Sequence, residues 1–258
     1  MTIAGARMSG NSGDGIVFVH GVGSTAAIWD YQLAGFGSQY RCFAVELRGN
    51  GASKPEPPPE QITREGFVED VLAVADAAQL QHFHVVGCSL GGVVAFELWK
   101  RAPQRLRSMV LAGSFAAYDD SEGYAAGVIE AVRNAGSMAA FAAARAEKLG
   151  LTPGTRMSET IEQMACKSIE SYCASTQATW TGDYRALLPT ITVPVLVVCG
   201  ARDAVAPPRY SEEIARAVKH AHLDIIADAG HVVNADAPGR FNALLKQFLS
   251  SNVSSATS

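Results

Sequence analysis

Short apolar runs alternate with longer segments of helical pattern along most of the chain. The apolar runs predict strands at Ile16–His20, Arg41–Glu46, Phe83–Cys88, Ser108–Ala112, Val195–Cys199 and Leu223–Ala227. The intervening segments predict helices at Thr25–Phe36, Thr63–Gln79, Leu90–Arg101, Pro208–His220 and Pro238–Leu249. Runs that are apolar throughout are typical of strands covered by helices on both faces. The order of elements therefore predicts a doubly wound, mostly parallel α/β sheet.

The interval from Ser114 to about Leu188 interrupts this alternation. It is rich in Ala, Met and Glu, contains no strand-like run, and predicts three or four helices. Since roughly 75 residues are too many for one crossover connection, we predict a helical cap at residues 114–187. The cap would be inserted into a core made of residues 1–113 and 188–258. The alternative is a set of further peripheral helices.

Composition narrows the class of protein. The chain has 258 residues, 48% of them hydrophobic and 18% charged, which suits one large globular domain. Its formal net charge of -4 provides no basic field for nucleic acid or an anionic membrane. We therefore expect a small-molecule substrate as partner, with no nucleic acid and no membrane, and leave a homo-oligomer open.

The cysteines, and the absence of an apolar run long enough to span a membrane, bear on the cellular compartment of the protein. The five cysteines are odd in number and form no C-x-x-C pair, which favours free thiols in a reducing compartment. The first residues have no apolar signal-peptide region, and no apolar run approaches the ~20 residues of a membrane span. We expect a soluble, cytoplasmic protein.

A Gly-x-Ser-x-Gly pattern lies where the third predicted strand meets the next helix, with Ser89 at its centre. The five letters alone occur by chance in many proteins, but a strand-to-helix turn at this point requires small neighbours. Gly87, Gly91 and Gly92 meet that requirement. A serine that merely capped the helix would not need glycine on both sides. Ser89 is therefore the predicted nucleophile.

A serine hydroxyl becomes a good nucleophile only when a base takes its proton. Of the six histidines, His231 follows the last predicted strand, at the sheet edge where open α/β sheets carry their sites. Asp203 follows the preceding strand and completes the chain order Ser, Asp, His. Two other acids compete: Asp228, whose closeness to the histidine favours loop capping, and Asp119, which follows an earlier strand.

The tetrahedral intermediate of acyl transfer needs N–H donors for its oxyanion. One predicted donor is the backbone N–H of Leu90, which follows the nucleophile at the amino end of a helix. The second is the backbone N–H of Val22, after the first predicted strand, with Gly23 as the alternative.

Five segments together resemble the α/β-hydrolase superfamily, in particular its compact esterase, lactonase and perhydrolase-like branch. The segments are His20–Gly23, Arg48–Ser53, Gly87–Gly92, Gly200–Asp203 and Gly230–His231. The resemblance covers nearly the whole chain. It implies the α/β-hydrolase fold, a helical cap that roofs the pocket, and catalysis without a metal or an organic cofactor.

The sequence departs from the family at two places. Glu46 and Asn50 stand where the family commonly has aspartate and histidine, near the mouth of the active site. This change is expected to alter the shape or polarity of the pocket more than its chemistry. The family also usually has two strands before the His-Gly loop, so we expect one edge strand to be absent or reduced to Ala4–Met8.

Specificity is expected to depend on the cap and on loops beside the three catalytic residues. An apolar chamber could be lined by Phe115, Met138, Phe141, Trp180, Val205 and Val232. The alternative for the cap residues is ordinary packing. No clear basic anchor for a carboxylate is identifiable, although Arg133, Arg145 and Lys148 lie in the cap. The default substrate is therefore a small, mostly apolar ester or lactone.

The leading hypothesis is carboxylic ester or lactone hydrolysis through an acyl-serine, with His231 acting first as base and then as acid. The alternative is hydrolysis of a carbon–carbon bond in a ring-cleavage dienoate, which a basic pocket residue would favour. Halide displacement is disfavoured, because relatives that perform it carry aspartate at the position of Ser89. A ligand receptor on this scaffold and a cofactor-free oxygenase are weaker alternatives.

Overall fold

The computed structural model describes residues 5–50, 56–150 and 155–253, which contain one seven-stranded sheet. The strands are β1 (Ala6–Ser9), β2 (Gly15–Val19), β3 (Arg41–Val45), β4 (Phe83–Cys88), β5 (Leu106–Ala112), β6 (Val195–Gly200) and β7 (Ala221–Ile226). Their order is β1-β3-β2-β4-β5-β6-β7, and every neighbouring pair except β1–β3 is parallel. The predicted doubly wound, mostly parallel sheet is confirmed.

Ten α-helices lie within the described residues. They are α1 (Asp30–Phe36), α2 (Arg64–Ala77), α3 (Leu90–Arg101), α4 (Ser121–Asn134), α5 (Met138–Lys148), α6 (Thr155–Ala165), α7 (Ile169–Trp180), α8 (Pro208–Ala217), α9 (Val233–Asp236) and α10 (Pro238–Val253). Helices α2 and α3 pack together, as do α1 and α10. The short α9 was not predicted, because four residues are too few for a helical period to emerge from the pattern.

Polar side chains determine where several helices begin. The Thr63 hydroxyl accepts the Gly66 N–H at 3.1 Å and caps α2. Thr25 caps a 3-10 turn at Ala26–Trp29 in the same way, so the predicted helix Thr25–Phe36 divides into that turn and α1. At the other end of the chain, α8 stops earlier than predicted because Val218 is already extended and leads into β7.

The central strands carry the core. Every residue of β2, β4 and β6 is buried, which agrees with their apolar runs. Trp29 is fully buried between Phe18 and Phe241, with ring centroids 5.1 and 6.1 Å away. It therefore joins a core strand to the carboxyl-terminal helix.

The edge strand β1 pairs antiparallel with β3. It corresponds to the predicted reduced strand at Ala4–Met8, of which Ala4 lies outside the described residues. Residues 51–53 of the Arg48–Ser53 motif also lie outside them.

Helices α4 to α7 lie between β5 and β6, and we call them the inserted helices. Helix α4 contacts α7, and α5 contacts α6. The two ends of the insertion are tied together, since Ala117 bridges Asp183 and the Tyr184 N–H donates to the Ala116 carbonyl at 2.7 Å. These ties lie near the predicted boundaries at 114 and 187. The division of the chain into core and cap stays a prediction.

None of the helices in the described part of the chain is both long enough and apolar enough to cross a bilayer.

Candidate active site

Ser89 lies between β4 and α3 in a backbone conformation that non-glycine residues seldom adopt, with φ +55° and ψ -113°. The turn is closely packed on both sides. A Cβ atom at Gly87 would stand 2.1 Å from the Gly91 carbonyl oxygen, and one at Gly91 would stand 2.1 Å from the Val19 carbonyl oxygen. The glycines around the serine are therefore required by contact between backbone segments.

This packing gives a stability prediction. Gly87→Ala should lower the free energy of unfolding by about 1–3 kcal/mol, because the new methyl group meets backbone that cannot move aside. Gly127→Ala is the matched control: Gly127 lies within α4 with open space around it, so alanine should raise stability by about 0.5–1 kcal/mol. Urea denaturation measures both, and a Gly87→Ala protein as stable as the unmodified one would contradict the described turn.

His231 and Asp203 form a buried pair. The His231 Nδ1–H donates to Asp203 Oδ2 at 2.8 Å, and both side chains are almost wholly excluded from solvent. Asp203 Oδ1 accepts the backbone N–H groups of Val205 and Ala206, each at 2.8 Å. The carboxylate is thus fixed by the loop after β6, and it holds the imidazole in the tautomer that leaves Nε2 to accept a proton.

The neighbouring acid Asp228 has a different position. It is exposed, and its backbone carbonyl accepts a hydrogen bond from Arg202. The turn before the histidine is capped instead by Asp236, whose Oδ2 accepts the Gly230 N–H at 2.9 Å. The structure therefore pairs His231 with Asp203, as predicted from chain order.

Ser89 and His231 line the same small cavity, which has about 30 Å³ of free volume. The core contributes Gly21, Val22, Gly23, Ser24, Ile28, Cys88, Ser89, His231 and Val232. The inserted helices and the residue after α5 contribute Arg145, Leu149, Thr160, Met164, Tyr172 and Trp180. The inserted helices therefore form one wall of the cavity that contains the serine.

The loop after β2 approaches Ser89 closely. A Cβ atom at Gly21 would lie 3.2 Å from Ser89 Cβ. The next residue, Val22, lines the serine cavity, and Leu90 begins α3 directly after the serine. Within the described part of the chain, neither the Val22 nor the Leu90 N–H has a hydrogen-bond acceptor. Both predicted oxyanion donors are therefore unpaired beside Ser89.

His20 stabilises the loop after β2 through hydrogen bonds to the backbone. It is fully buried, its Nδ1–H donates to the Gly21 carbonyl at 2.9 Å, and its Nε2 accepts the Leu47 N–H at 3.2 Å. Burial, together with the charge of Lys167, lowers the pKa of His20 to about 3. The ring is therefore a neutral tie between the ends of β2 and β3, and it takes no part in proton transfer at neutral pH.

Glu46 and Asn50, which replace the family's usual aspartate and histidine, lie outside the serine cavity. Glu46 accepts the Ala26 N–H through both carboxylate oxygens at 3.4 Å. Asn50 is buried and donates from Nδ2 to the Arg48 carbonyl at 3.0 Å. Both side chains stabilise loops, and neither is among the described residues that line the cavity.

Cys88 precedes Ser89 in the chain but is poorly suited to act as a nucleophile. It is 1% exposed, and burial with the nearby Asp203 charge raises the pKa of its thiol to about 12. A thiol with this pKa is almost wholly protonated at neutral pH. Cys88 is a packing residue at the end of β4.

The six residues predicted to line a chamber do not all line one cavity. Trp180 and Val232 line the serine cavity, and Phe141 and Val205 line a larger cavity of about 550 Å³ beside it. Phe115 stacks flat against Trp180, with centroids 4.7 Å apart, and lies behind it. Met138 is buried and lines neither cavity.

Several lining residues were not predicted. Leu149, Thr160, Met164 and Tyr172 come from the insertion, where the sequence pattern indicates helices but not which face meets the serine. Arg145 was noted only as a cation of the predicted cap, and the structure places it in the serine cavity. The sequence pattern does not show which face of a predicted helix meets the cavity, so it could not identify Arg145 as a basic residue of the pocket.

The part of the chain that the structure describes contains no group of three or more His, Cys, Asp or Glu side chains that could hold a metal ion.

The chain is similar to known hydrolases over most of its length. A 3-oxoadipate enol-lactonase of Acinetobacter baylyi is 29% identical over 90% of this chain and 89% of its own length. A pimeloyl-(acyl-carrier protein) methyl ester esterase of Neisseria meningitidis is 30% identical over 91% of this chain and 92% of its own. The crystal structure of a hydrolase from Pseudomonas aeruginosa PA01 has a TM-score of 0.86 at 29% identity, covering 95% of this chain and 93% of that one.

The family model described as the alpha/beta hydrolase family matches residues 16–244, which include the strand-to-helix turn, the acid loop and the histidine loop. The resemblance stated from sequence motifs is thereby confirmed. The chain belongs to the alpha/beta hydrolase family.

Proposed function

We propose that the protein hydrolyses a small, mostly apolar carboxylic ester or lactone through an acyl-serine intermediate on Ser89. The observation that carries the proposal is the buried pair of His231 and Asp203, with 2.8 Å between Nδ1 and Oδ2, of which His231 lines the same cavity as Ser89. The relatives named as enol-lactonase and methyl ester esterase are carboxylic ester hydrolases, and they confirm the prediction of an enzyme of that class.

In the proposed reaction His231 Nε2 takes the hydroxyl proton of Ser89 as Oγ attacks the substrate carbonyl. The N–H groups of Val22 and Leu90 stabilise the oxyanion that forms. The intermediate then collapses, the carbon–oxygen bond to the leaving group breaks, and His231 returns its proton to the departing alkoxide. A water molecule attacks the acyl-serine by the same route, which releases the carboxylic acid and restores the hydroxyl group of Ser89.

One observation favours a second candidate, the hydrolysis of a carbon–carbon bond in a dienoate. Arg145 is a basic residue in the serine cavity, and a basic pocket residue suits a substrate with a carboxylate. The same three catalytic residues would serve both reactions. The two candidates therefore differ in substrate and share the predicted nucleophile.

A rate panel tests the proposal directly. The purified protein is given 4-nitrophenyl esters of increasing acyl length, five- and six-membered lactones, and coloured dienoates. We expect turnover of at least one ester or lactone, and a mass increase equal to the acyl group in acid-quenched protein. Peptide mapping should place that increase on the peptide that contains Ser89.

Two outcomes would contradict the proposal. Turnover of esters with the acyl group on another residue would exclude the acyl-serine at Ser89. Rapid turnover of dienoates with no detectable ester or lactone hydrolysis would favour the second candidate.

A further inference from the structure

Arg145 lines the serine cavity but has no role in the proposed reaction steps. It is part-buried on α5, and it lines both the serine cavity and the larger neighbouring cavity. No other described residue lines both. Its Nη2 donates to the Tyr124 hydroxyl of the larger cavity at 3.2 Å, and its charge acts on Tyr172 of the serine cavity. The guanidinium group therefore lies where the two cavities meet.

This cation has no acidic partner among the described residues. Within the described part of the chain, the Arg145 side chain donates a hydrogen bond to the Tyr124 hydroxyl. No described carboxylate lies within ion-pair distance of the Arg145 guanidinium. Burial raises the pKa of Tyr118 and of Tyr172, so these phenols are neutral at neutral pH and do not compensate the charge. A part-buried guanidinium without a counter-ion is costly unless a ligand supplies one.

The lining of both cavities favours an anion. Neither has an aspartate or glutamate among its described lining residues, whereas the larger one also carries Lys148.

The volumes of the two cavities indicate where a substrate has room to extend. About 30 Å³ beside Ser89 accommodates little more than one or two water molecules, whereas about 550 Å³ is the size of an ordinary ligand pocket. A substrate at the serine that extended into the larger cavity would pass Arg145, which lines both.

We propose that Arg145 determines specificity by binding a carboxylate of the substrate, so that the preferred ester or lactone carries a free acid group beyond its reacting carbonyl. The inference rests on the proposed hydrolase function and adds the substrate class. A carboxylate matches the single positive charge and can accept two N–H groups of the guanidinium. The acid group would replace water at the boundary of the cavities and direct the carbonyl toward Ser89.

The position of Arg145 on α5 connects recognition to the catalytic loop. The Leu149 N–H donates to the Arg145 carbonyl at 3.2 Å, and the Leu149 carbonyl accepts the His231 N–H at 2.8 Å. The proposed anchor is therefore one helical turn from the residue that holds the backbone of the histidine. Binding of an acid at Arg145 should favour the arrangement of α5 in which this contact is made.

The test compares two esters of equal chain length that differ in charge. One is the mono-4-nitrophenyl ester of glutaric acid, which has a free carboxylate, and the other is its methyl-blocked diester. Arg145→Gln should lower kcat/KM for the acid by about 10- to 100-fold and change that for the blocked ester by less than about threefold. Arg145→Lys should recover part of the loss, because it keeps the charge but not the planar pair of donors. The matched control is Arg133→Gln, an exposed arginine of α4, which should leave both rates unchanged.

A measurement on the unmodified protein keeps the proposal testable if the Arg145 variants do not fold. Glutarate should inhibit hydrolysis of the blocked ester competitively, and the neutral diamide glutaramide at the same concentration should inhibit at least about tenfold less. Equal losses for both esters in Arg145→Gln, or equal inhibition by the two additives, would overturn the role of Arg145. In that case hydrolysis of the blocked ester by acyl-serine still stands, whereas failure of every ester, lactone and dienoate would remove the proposed function itself.

Discussion

Ser89→Ala should lower kcat/KM for the best ester or lactone by about four to six orders of magnitude, while the protein keeps its fold. The loss is expected because the neighbouring Cys88 cannot replace the serine: burial raises the pKa of its thiol to about 12. The fold should persist because the Ser89 side chain makes no capping hydrogen bond to α3. Alanine and serine also bear similar strain at φ +55°.

The measurement combines initial rates with acid-quench mass spectrometry and thermal unfolding. Ser250→Ala is a matched control, since Ser250 is exposed on α10 and bonds only to the Lys246 carbonyl among its described contacts. It should keep the rate and the acyl adduct of the unmodified protein. If Ser89→Ala retained more than about a tenth of the rate, the nucleophile would be a different group or water activated by His231.

The positions of Ser89, Asp203 and His231 could be predicted from the sequence because short-range rules determine them. Glycines that permit a strand-to-helix turn mark Ser89 within a few residues. Parallel strands end at one edge of the sheet, so residues just after β6 and β7 are brought together although 28 positions separate Asp203 from His231. Apolar runs that are buried on both faces likewise predict strands within two or three residues of their observed ends.

The wall of the cavity could not be predicted in the same way. Arg133 and Arg145 lie on adjacent inserted helices with similar surroundings in sequence, yet one is exposed and the other lines the serine cavity. Phe115 and Trp180 are both large aromatics near that wall, and their parallel stacking leaves only Trp180 in contact with the cavity. These differences depend on how helices pack against the core, which no local pattern records.

Asp203→Asn should reduce kcat by about four orders of magnitude, and the structure gives the reason. Asp203 Oδ1 accepts two backbone N–H groups, from Val205 and Ala206, so the amide of asparagine must place its oxygen there. The NH₂ group then faces His231 Nδ1, where it donates instead of accepting. The imidazole is forced to carry its proton on Nε2, and it can no longer take the proton of Ser89.

Asp228→Asn separates this effect from a general loss of negative charge near the histidine loop. Asp228 is exposed, and its described contact is through its backbone carbonyl, so the substitution should change kcat by less than about twofold. Initial rates for both variants, with the same ester and at the same pH, make the comparison. If Asp228→Asn lost activity and Asp203→Asn kept it, the acid would have been assigned to the wrong residue. Because Asp203 is the carboxylate 2.8 Å from His231 Nδ1, we expect the loss in Asp203→Asn alone.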